Sequence, residues 1–108
     1  MNDVMEGLYQ VVLDRRSHPL EGSYTCYLFE KGLDKICKKV GEEASEVIIA
    51  AKNGDNSETA GEICDLLYHL LVLMAQQGIS TQEITAILEQ RRQKIGNLKV
   101  MHQSDHQS

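Results

Sequence analysis

The chain has no tryptophan, one phenylalanine and one proline among its 108 residues. So little proline leaves long segments free to form helices, and no alternating runs of β-branched residues predict strands. Cysteine is also scarce, because Cys26, Cys37 and Cys64 form an odd set without a CxxC pair. That spacing argues against a disulfide framework and against a zinc site. We expect three reduced, mostly buried thiols in a cytoplasmic protein.

Basic runs and long apolar runs are missing as well. The formal net charge is −5, and the absence of a basic patch argues against nucleic acid as the main partner. The most apolar stretch, residues 66–75, is interrupted by His69 and is too short to cross a bilayer. The acidic N-terminus lacks the apolar segment of a signal peptide. The sequence therefore predicts neither a membrane nor a nucleic-acid partner.

Helical periodicity dominates what is present. It predicts helices over about residues 2–15, 23–31, 33–53, 57–77 and 80–96. Ser23 is a suitable N-cap, and Ser80 with Glu83 forms a capping box. We expect an all-α bundle of four to five helices over residues 1–100, completed by dimerisation, and a polar, frayed tail over 101–108. The long third helix should bury a stripe formed by Ile36, Val40, Ala44, Val47, Ile48 and Ala51.

Two pairs of acids interrupt the two longest predicted helices. Glu43 and Glu46 lie on the first, and Glu62 and Asp65 lie on the second. Residues at i and i+3 share one side of a helix, and both pairs fall at the border of the apolar face. The short connection over 53–56 favours a hairpin that brings the pairs together. Carboxylates that converge in this way must be protonated, solvated or bound to a cation, and Mg²⁺ whose shell is completed by substrate phosphates is the commonest form of the last.

Simpler interpretations exist for the same residues. Acids at i and i+3 are frequent on solvated helix faces, but a second pair on the facing helix makes that interpretation weaker. Glu42 adjoins the first pair and is either solvated or a further ligand. His69 is expected to be a hydrogen-bonded packing residue more often than a ligand. The basic residues nearby form a solvated face or, as a second interpretation, bind phosphate: Lys35, Lys38 and Lys39.

Three segments together carry a resemblance to a known family. They are residues 23–32, with Ser23-Tyr24-Thr25; residues 38–47, with Lys-Val-Gly-Glu-Glu-Ala; and residues 62–73, with Asp-Leu-Leu-Tyr-His-Leu-Leu. The chain resembles the phosphoribosyl-ATP pyrophosphohydrolases, within the all-α, MazG-like nucleotide pyrophosphohydrolases. The likeness spans roughly residues 8–92. These strings are much more specific than the carboxylate pattern alone.

The resemblance implies an enzyme of histidine biosynthesis. It would be a homodimer that hydrolyses phosphoribosyl-ATP to phosphoribosyl-AMP and pyrophosphate. It implies Mg²⁺ bound by Glu43, Glu46, Glu62 and Asp65, with Glu43 or Glu46 as the base that activates water. In many organisms a cyclohydrolase domain is fused to this one, and the chain resembles the stand-alone form.

Three rival functions share some of these features. A house-cleaning dNTP pyrophosphohydrolase would use the same acids. A di-iron protein would need Glu-x-x-His motifs, which no histidine of this chain provides. A non-catalytic helical dimerisation module would carry the acids as surface residues only.

Overall fold

A computed structural model describes residues 2–96 as five α-helices and no strand. They are α1 (Asp3–Ser17), α2 (Tyr24–Lys31), α3 (Leu33–Lys52), α4 (Asn56–Gln77) and α5 (Thr81–Gly96). The predicted all-α class is confirmed. The first helix extends to Ser17, two residues beyond its predicted end at about residue 15. The predicted tail over 101–108 lies outside the described residues.

Polar side chains fix where the helices begin. Ser23 Oγ accepts a hydrogen bond from the backbone N–H of Cys26, and Asp55 Oδ1 accepts one from Glu58 at 3.0 Å. Ser80 Oγ accepts from the Glu83 N–H at 3.1 Å, while the Glu83 carboxylate accepts from the Ser80 N–H at 3.3 Å. This reciprocal pair is the predicted capping box. Each cap satisfies N–H groups that have no partner inside the helix.

The helix α4 lies at the centre of the bundle. It packs most extensively against α3 and also contacts α1 and α2. The turn between α3 and α4 needs only residues 53–55, with Gly54 at φ 75°, so the two helices form the predicted hairpin. The core joins buried side chains from four helices, namely Tyr9, Val12, Leu28, Ile36, Leu71, Val72, Met74 and Ala75.

The predicted apolar stripe of α3 is partly wrong. Ile48 and Ala51 are exposed, whereas Ala50 is buried. The buried line instead follows a heptad spacing through residues 36, 40, 43, 47 and 50, which turns the helix slightly relative to the prediction. Because Glu43 belongs to that line, it lies within the packed face of α3 and not at its border.

A smaller expectation is also corrected. The thiols are free, but they are not mostly buried: Cys37 and Cys64 are exposed, and Cys26 is half-buried. On α1, likewise, Val11 is exposed whereas its neighbour Val12 is buried. Hydropathy alone does not distinguish such positions on short helices in a small bundle.

The helix α5 is held at its first turn. Thr81 is buried and donates a hydrogen bond to the Glu6 carboxylate of α1. Tyr9 Oη donates to the Ile79 carbonyl at 2.6 Å, just before this helix. No single described helix is long and apolar enough to span a membrane, and only α4 and α5 taken together, bent by 116°, satisfy that test of length and composition.

Candidate metal centre

Three carboxylates converge between α3 and α4. Glu43 comes from α3, and Glu62 and Asp65 come from the first half of α4. One carboxylate oxygen of each lies within 4.8 Å of the others. The hairpin produces this meeting, because Glu43 points from the packed face of α3 towards two acids one turn apart on α4. Three of the four acids singled out in the sequence are therefore brought together.

The cluster changes the acidity of its central member. Burial is the main cause that raises the pKa of Glu62 above the ordinary value for a glutamic acid, and the negative charges of Asp65, Glu43 and Glu46 raise it further. Like charges at such distances disfavour ionisation of one another. A cation bound among these oxygens would therefore stabilise the cluster by reducing the repulsion between the carboxylates.

Glu46 and Glu42 lie outside the group of converging oxygens. Both are exposed on α3. Glu46 is nevertheless close enough for its charge to raise the pKa of Glu62, whereas the charge of Glu42 acts on Lys39. Glu46 is thus a neighbour of the cluster whose carboxylate makes no ion pair within residues 2–96, and Glu42 lies on the side of Lys39.

The three predicted phosphate-binding lysines occupy different surroundings. Lys39 Nζ lies 3.6 Å from Glu43 Oε1, and both side chains are largely shielded from solvent. Burial would lower the pKa of Lys39, but the nearby Tyr24, Glu42 and Glu43 outweigh it and raise that pKa. Lys35 is half-buried and Lys38 is exposed. Only Lys39 directly contacts the acidic cluster.

A hydrogen-bonded bridge connects α2 to the acids of α4. His69 is 5% exposed, and its Nδ1–H donates to the Asp65 carbonyl at 2.7 Å. This leaves Nε2 as an acceptor for Tyr24 Oη at 3.0 Å. Both ring nitrogens are occupied, which confirms the expectation of a hydrogen-bonded packing residue.

A second contact between α2 and α4 lies beside this bridge. Thr25 and Tyr68 are joined by a hydrogen bond between their hydroxyls. Sequence reasoning did not find either contact, since each joins residues more than 40 positions apart. The sequence feature that could have indicated these two hydrogen bonds is the pair of adjacent hydrogen-bonding residues on each helix, Tyr24-Thr25 on α2 and Tyr68-His69 on α4.

The donor set fits a hard divalent cation. Carboxylate oxygens are the ligands that Mg²⁺ and Ca²⁺ prefer. Oxygens bound to one Mg²⁺ are about 2.9–4.2 Å apart, so the three carboxylate oxygens, which lie within 4.8 Å of one another, would move closer together to share the ion. The fold and the site together define an all-α protein with a candidate centre for a divalent cation and a lysine beside it.

Comparison with known proteins gives the family. The family model for phosphoribosyl-ATP pyrophosphohydrolase matches residues 5–92. A phosphoribosyl-ATP pyrophosphatase of Clostridium botulinum is 58% identical over 98 residues, which cover 91% of this chain and 89% of that protein. A phosphoribosyl-ATP pyrophosphatase of Streptococcus sanguinis is 52% identical over 103 residues, which cover 95% of this chain and 99% of that protein. The chain belongs to the phosphoribosyl-ATP pyrophosphohydrolase family.

A longer relative matches over part of its length. The histidine biosynthesis bifunctional protein HisIE of Lactococcus lactis is 55% identical over 101 residues, which cover 94% of this chain but 48% of that protein. The matched region contains all three segments on which the resemblance was based. The family predicted from those segments is therefore confirmed.

Proposed function

We propose that this chain hydrolyses phosphoribosyl-ATP to phosphoribosyl-AMP and pyrophosphate, the second step of histidine biosynthesis. The observation that carries the proposal is the family match over residues 5–92, which contains the converging acids Glu43, Glu62 and Asp65. A triphosphate is a polyanion, so a site for it must provide positive charge. Lys39 carries a positive charge, and the acidic cluster can bind a cation that adds to it.

We assign Mg²⁺ to the cluster, with Glu43, Glu62 and Asp65 as its protein ligands. When bound, Mg²⁺ neutralises charge on the phosphate oxygens and on the pyrophosphate that departs. The chain contributes the positions of the oxygens. Packing of α3 against α4 holds Glu43 opposite the other two acids, and the His69 bridge to Tyr24 fixes the turn of α4 that carries Asp65.

Glu46 is the residue we assign as general base. Its carboxylate is exposed and lies outside the group of converging oxygens, yet it is near enough to influence Glu62. It therefore retains lone pairs with which to accept a proton from the attacking water. Glu43 is less suitable, because Lys39 already occupies one of its oxygens.

The lysines are assigned to the phosphates of the substrate. Lys39 is already positioned at the cluster by Glu43, and it would contact phosphate once a cation takes over that carboxylate. Lys35 and Lys38 follow on the same stretch of α3 and would attract the polyanion from farther away. Glu42 is assigned no ligand role in the present arrangement.

We further propose that the enzyme acts as a homodimer in the cytoplasm. Large apolar side chains of the α3–α4 hairpin are exposed, including Ile48, Ile49, Ile63 and Leu67. An isolated bundle would rarely leave so many on one hairpin. The three free thiols suit a reducing compartment, and cell fractionation would test that location.

The central experiment measures pyrophosphate release from phosphoribosyl-ATP with and without Mg²⁺. We expect Glu62→Gln and Asp65→Asn to lose both turnover and Mg²⁺ binding in calorimetry. Glu46→Gln should lower kcat about 100-fold or more but retain Mg²⁺ binding, because it would remove a base and not a ligand.

Suitable controls make the result specific. Glu89→Gln removes an exposed acid of α5 that pairs with Arg92, away from the cluster, and should leave turnover unchanged. A panel of dNTPs should be hydrolysed poorly. Preferential turnover of a dNTP, or full activity of Glu62→Gln and Asp65→Asn, would contradict the proposed substrate or the proposed ligands respectively.

A further inference from the structure

A groove runs along α2 and the loop that precedes it. Its volume is about 550 Å³, within the range of small-molecule sites, and residues 19–24, 26, 27 and 30 line it. The apolar part consists of Leu20, Tyr24 and Tyr27, and the acidic part consists of Glu21 and Glu30. The acids and lysines assigned above do not use this groove.

Two tyrosines form the aromatic surface of the groove. The rings of Tyr24 and Tyr27 are nearly parallel, with 24° between their planes and 6.0 Å between their centroids. They are 44% and 40% exposed, respectively. Lys31 Nζ lies 5.8 Å from the ring centroid of Tyr27, so this ring already attracts a cation. An exposed aromatic pair of this kind binds flat rings, and binds them more strongly when they are positively charged.

Glu21 and Glu30 give the same groove a negative charge. Both are exposed, and within residues 2–96 neither makes an ion pair. A carboxylate beside an aromatic surface favours a cationic ligand and repels a phosphate. The groove is therefore unsuited to the triphosphate of a nucleotide but suited to a positively charged base.

Tyr24 connects the groove to the acidic cluster. Its ring lines the groove, while its hydroxyl hydrogen-bonds to His69. His69 in turn donates to the carbonyl of Asp65, so this hydroxyl is linked through one side chain to the turn of α4 that carries an acid of the cluster. A nucleotide with its phosphates at the cluster can therefore extend past Tyr24 and place its base in the groove.

The proposed substrate has a base with the required charge. Attachment of a second ribosyl group to a ring nitrogen of adenine makes the ring a stronger base, so it carries a proton, and a positive charge, near neutral pH. We propose that Tyr24, Tyr27 and Glu30 form a subsite for this N-substituted, cationic adenine and thereby select phosphoribosyl-ATP over ATP. The inference rests on the proposed function, because it assigns the base of that substrate to a second part of the site.

The test compares binding of 1-methyl-AMP with binding of AMP, using the full-length chain and isothermal calorimetry. Both probes lack the triphosphate, and they differ only in the substituent that makes the base cationic. We expect 1-methyl-AMP to bind about tenfold more tightly. Tyr27→Leu should weaken its binding by about tenfold and raise KM for phosphoribosyl-ATP, with a much smaller effect on kcat. Tyr27→Phe should retain both properties, because it keeps the ring.

A change of charge provides the second arm. Glu30→Gln should reduce the preference for 1-methyl-AMP over AMP, while Glu89→Gln on α5 should not. Equal binding of the two probes, or an unchanged KM in Tyr27→Leu, would overturn the subsite in a wild-type enzyme that turns over phosphoribosyl-ATP. Absence of that turnover, with the preference for 1-methyl-AMP intact, would refute the proposed function and leave the cationic subsite standing.

Discussion

Lys39 provides a positive charge that stabilises the acidic cluster when no divalent cation is bound. Three carboxylates meet within 4.8 Å, and Lys39 Nζ lies 3.6 Å from one of them. Its amine is charged at neutral pH, as lysine amines ordinarily are, and, against the effect of burial, Tyr24, Glu42 and Glu43 raise its pKa further. The ammonium group thus offsets repulsion that a divalent cation would otherwise have to remove.

Replacement of Lys39 by methionine should therefore destabilise the chain when no divalent cation is present. A partly shielded ion pair is worth up to about 1 kcal/mol, which corresponds to a fall in Tm of roughly 4–8 °C for a domain of this size. Addition of Mg²⁺ should recover part of that loss, so the Mg²⁺-induced rise in Tm should be larger than in wild type. Thermal unfolding monitored by circular dichroism, with and without Mg²⁺, measures both effects.

Lys38→Met is the matched control, because Lys38 is the exposed neighbour on the same helix and makes no ion pair within residues 2–96. Its Tm and its response to Mg²⁺ should match those of wild type. If the two variants behave alike, the counter-charge role of Lys39 is wrong.

At the scale of the helices, the junction between α1 and α5 depends on one titrating group. Thr81 is 2% exposed and donates its hydroxyl hydrogen to Glu6. This hydrogen bond, followed by one from Gln10, lowers the pKa of Glu6. A carboxylate with a lowered folded-state pKa stabilises the fold above its unfolded pKa, and the stabilisation is lost as pH falls through the folded value.

We therefore expect Thr81→Val to lower Tm at pH 7 and to have a smaller effect in acid, once the pH has fallen through the lowered pKa of Glu6. Thr59→Val is a suitable comparison, because the Thr59 hydroxyl donates to the backbone carbonyl of Asp55, a group that does not titrate. The difference in Tm caused by Thr59→Val should change little with pH. A Thr81→Val effect that stays constant as the pH falls through the range in which an NMR titration shows Glu6 taking up its proton would show that Glu6 is not responsible.

The helices themselves were largely predictable, because their signals are local. Ser23, Asp55 and Ser80 cap helices, and Gly78 at φ 75° ends α4; such residues act within one turn. The rotation of α3 was not predictable to the same accuracy. Ile48 is the more hydrophobic residue, yet Ala50 is buried and Ile48 is exposed, because packing against α4 and not hydropathy decides which one is buried.

In the candidate site, too, the local features were predictable and the long-range contacts were not. The i, i+3 spacing and the short turn were sufficient to predict that Glu43, Glu62 and Asp65 would meet, since both are local features. The groove beside Tyr27 is lined by residues within 19–30 and includes the irregular loop before α2, and the Tyr24–His69 hydrogen bond joins residues 45 positions apart. No spacing in the sequence encodes such contacts.

On the scale of the whole molecule, residues 2–96 of a single chain leave large apolar side chains of the α3–α4 hairpin exposed. Its radius of gyration is 16.3 Å, whereas a compact domain of this length has a value of about 13 Å. The first half of α4 leaves Ile63 and Leu67 exposed, although its second half is buried. The α3–α4 hairpin thus has an outer face that α1, α2 and α5 do not cover.

A second copy of the chain is the occupant we assign to this outer face. Ile48 and Ile49 are 63% and 53% exposed on α3, and burial of such side chains against identical ones contributes about 25 cal/mol per Å² of apolar area.

Light scattering coupled to gel filtration should give a mass close to twice 12.1 kDa for wild type. Ile48→Glu should shift the mass towards that of a monomer, because a dimer interface would bury two unpaired charges. Val4→Glu introduces the same charge at an exposed position on α1 and should remain dimeric. A monomeric wild-type chain, or dissociation by Val4→Glu but not by Ile48→Glu, would show that the hairpin does not form the interface.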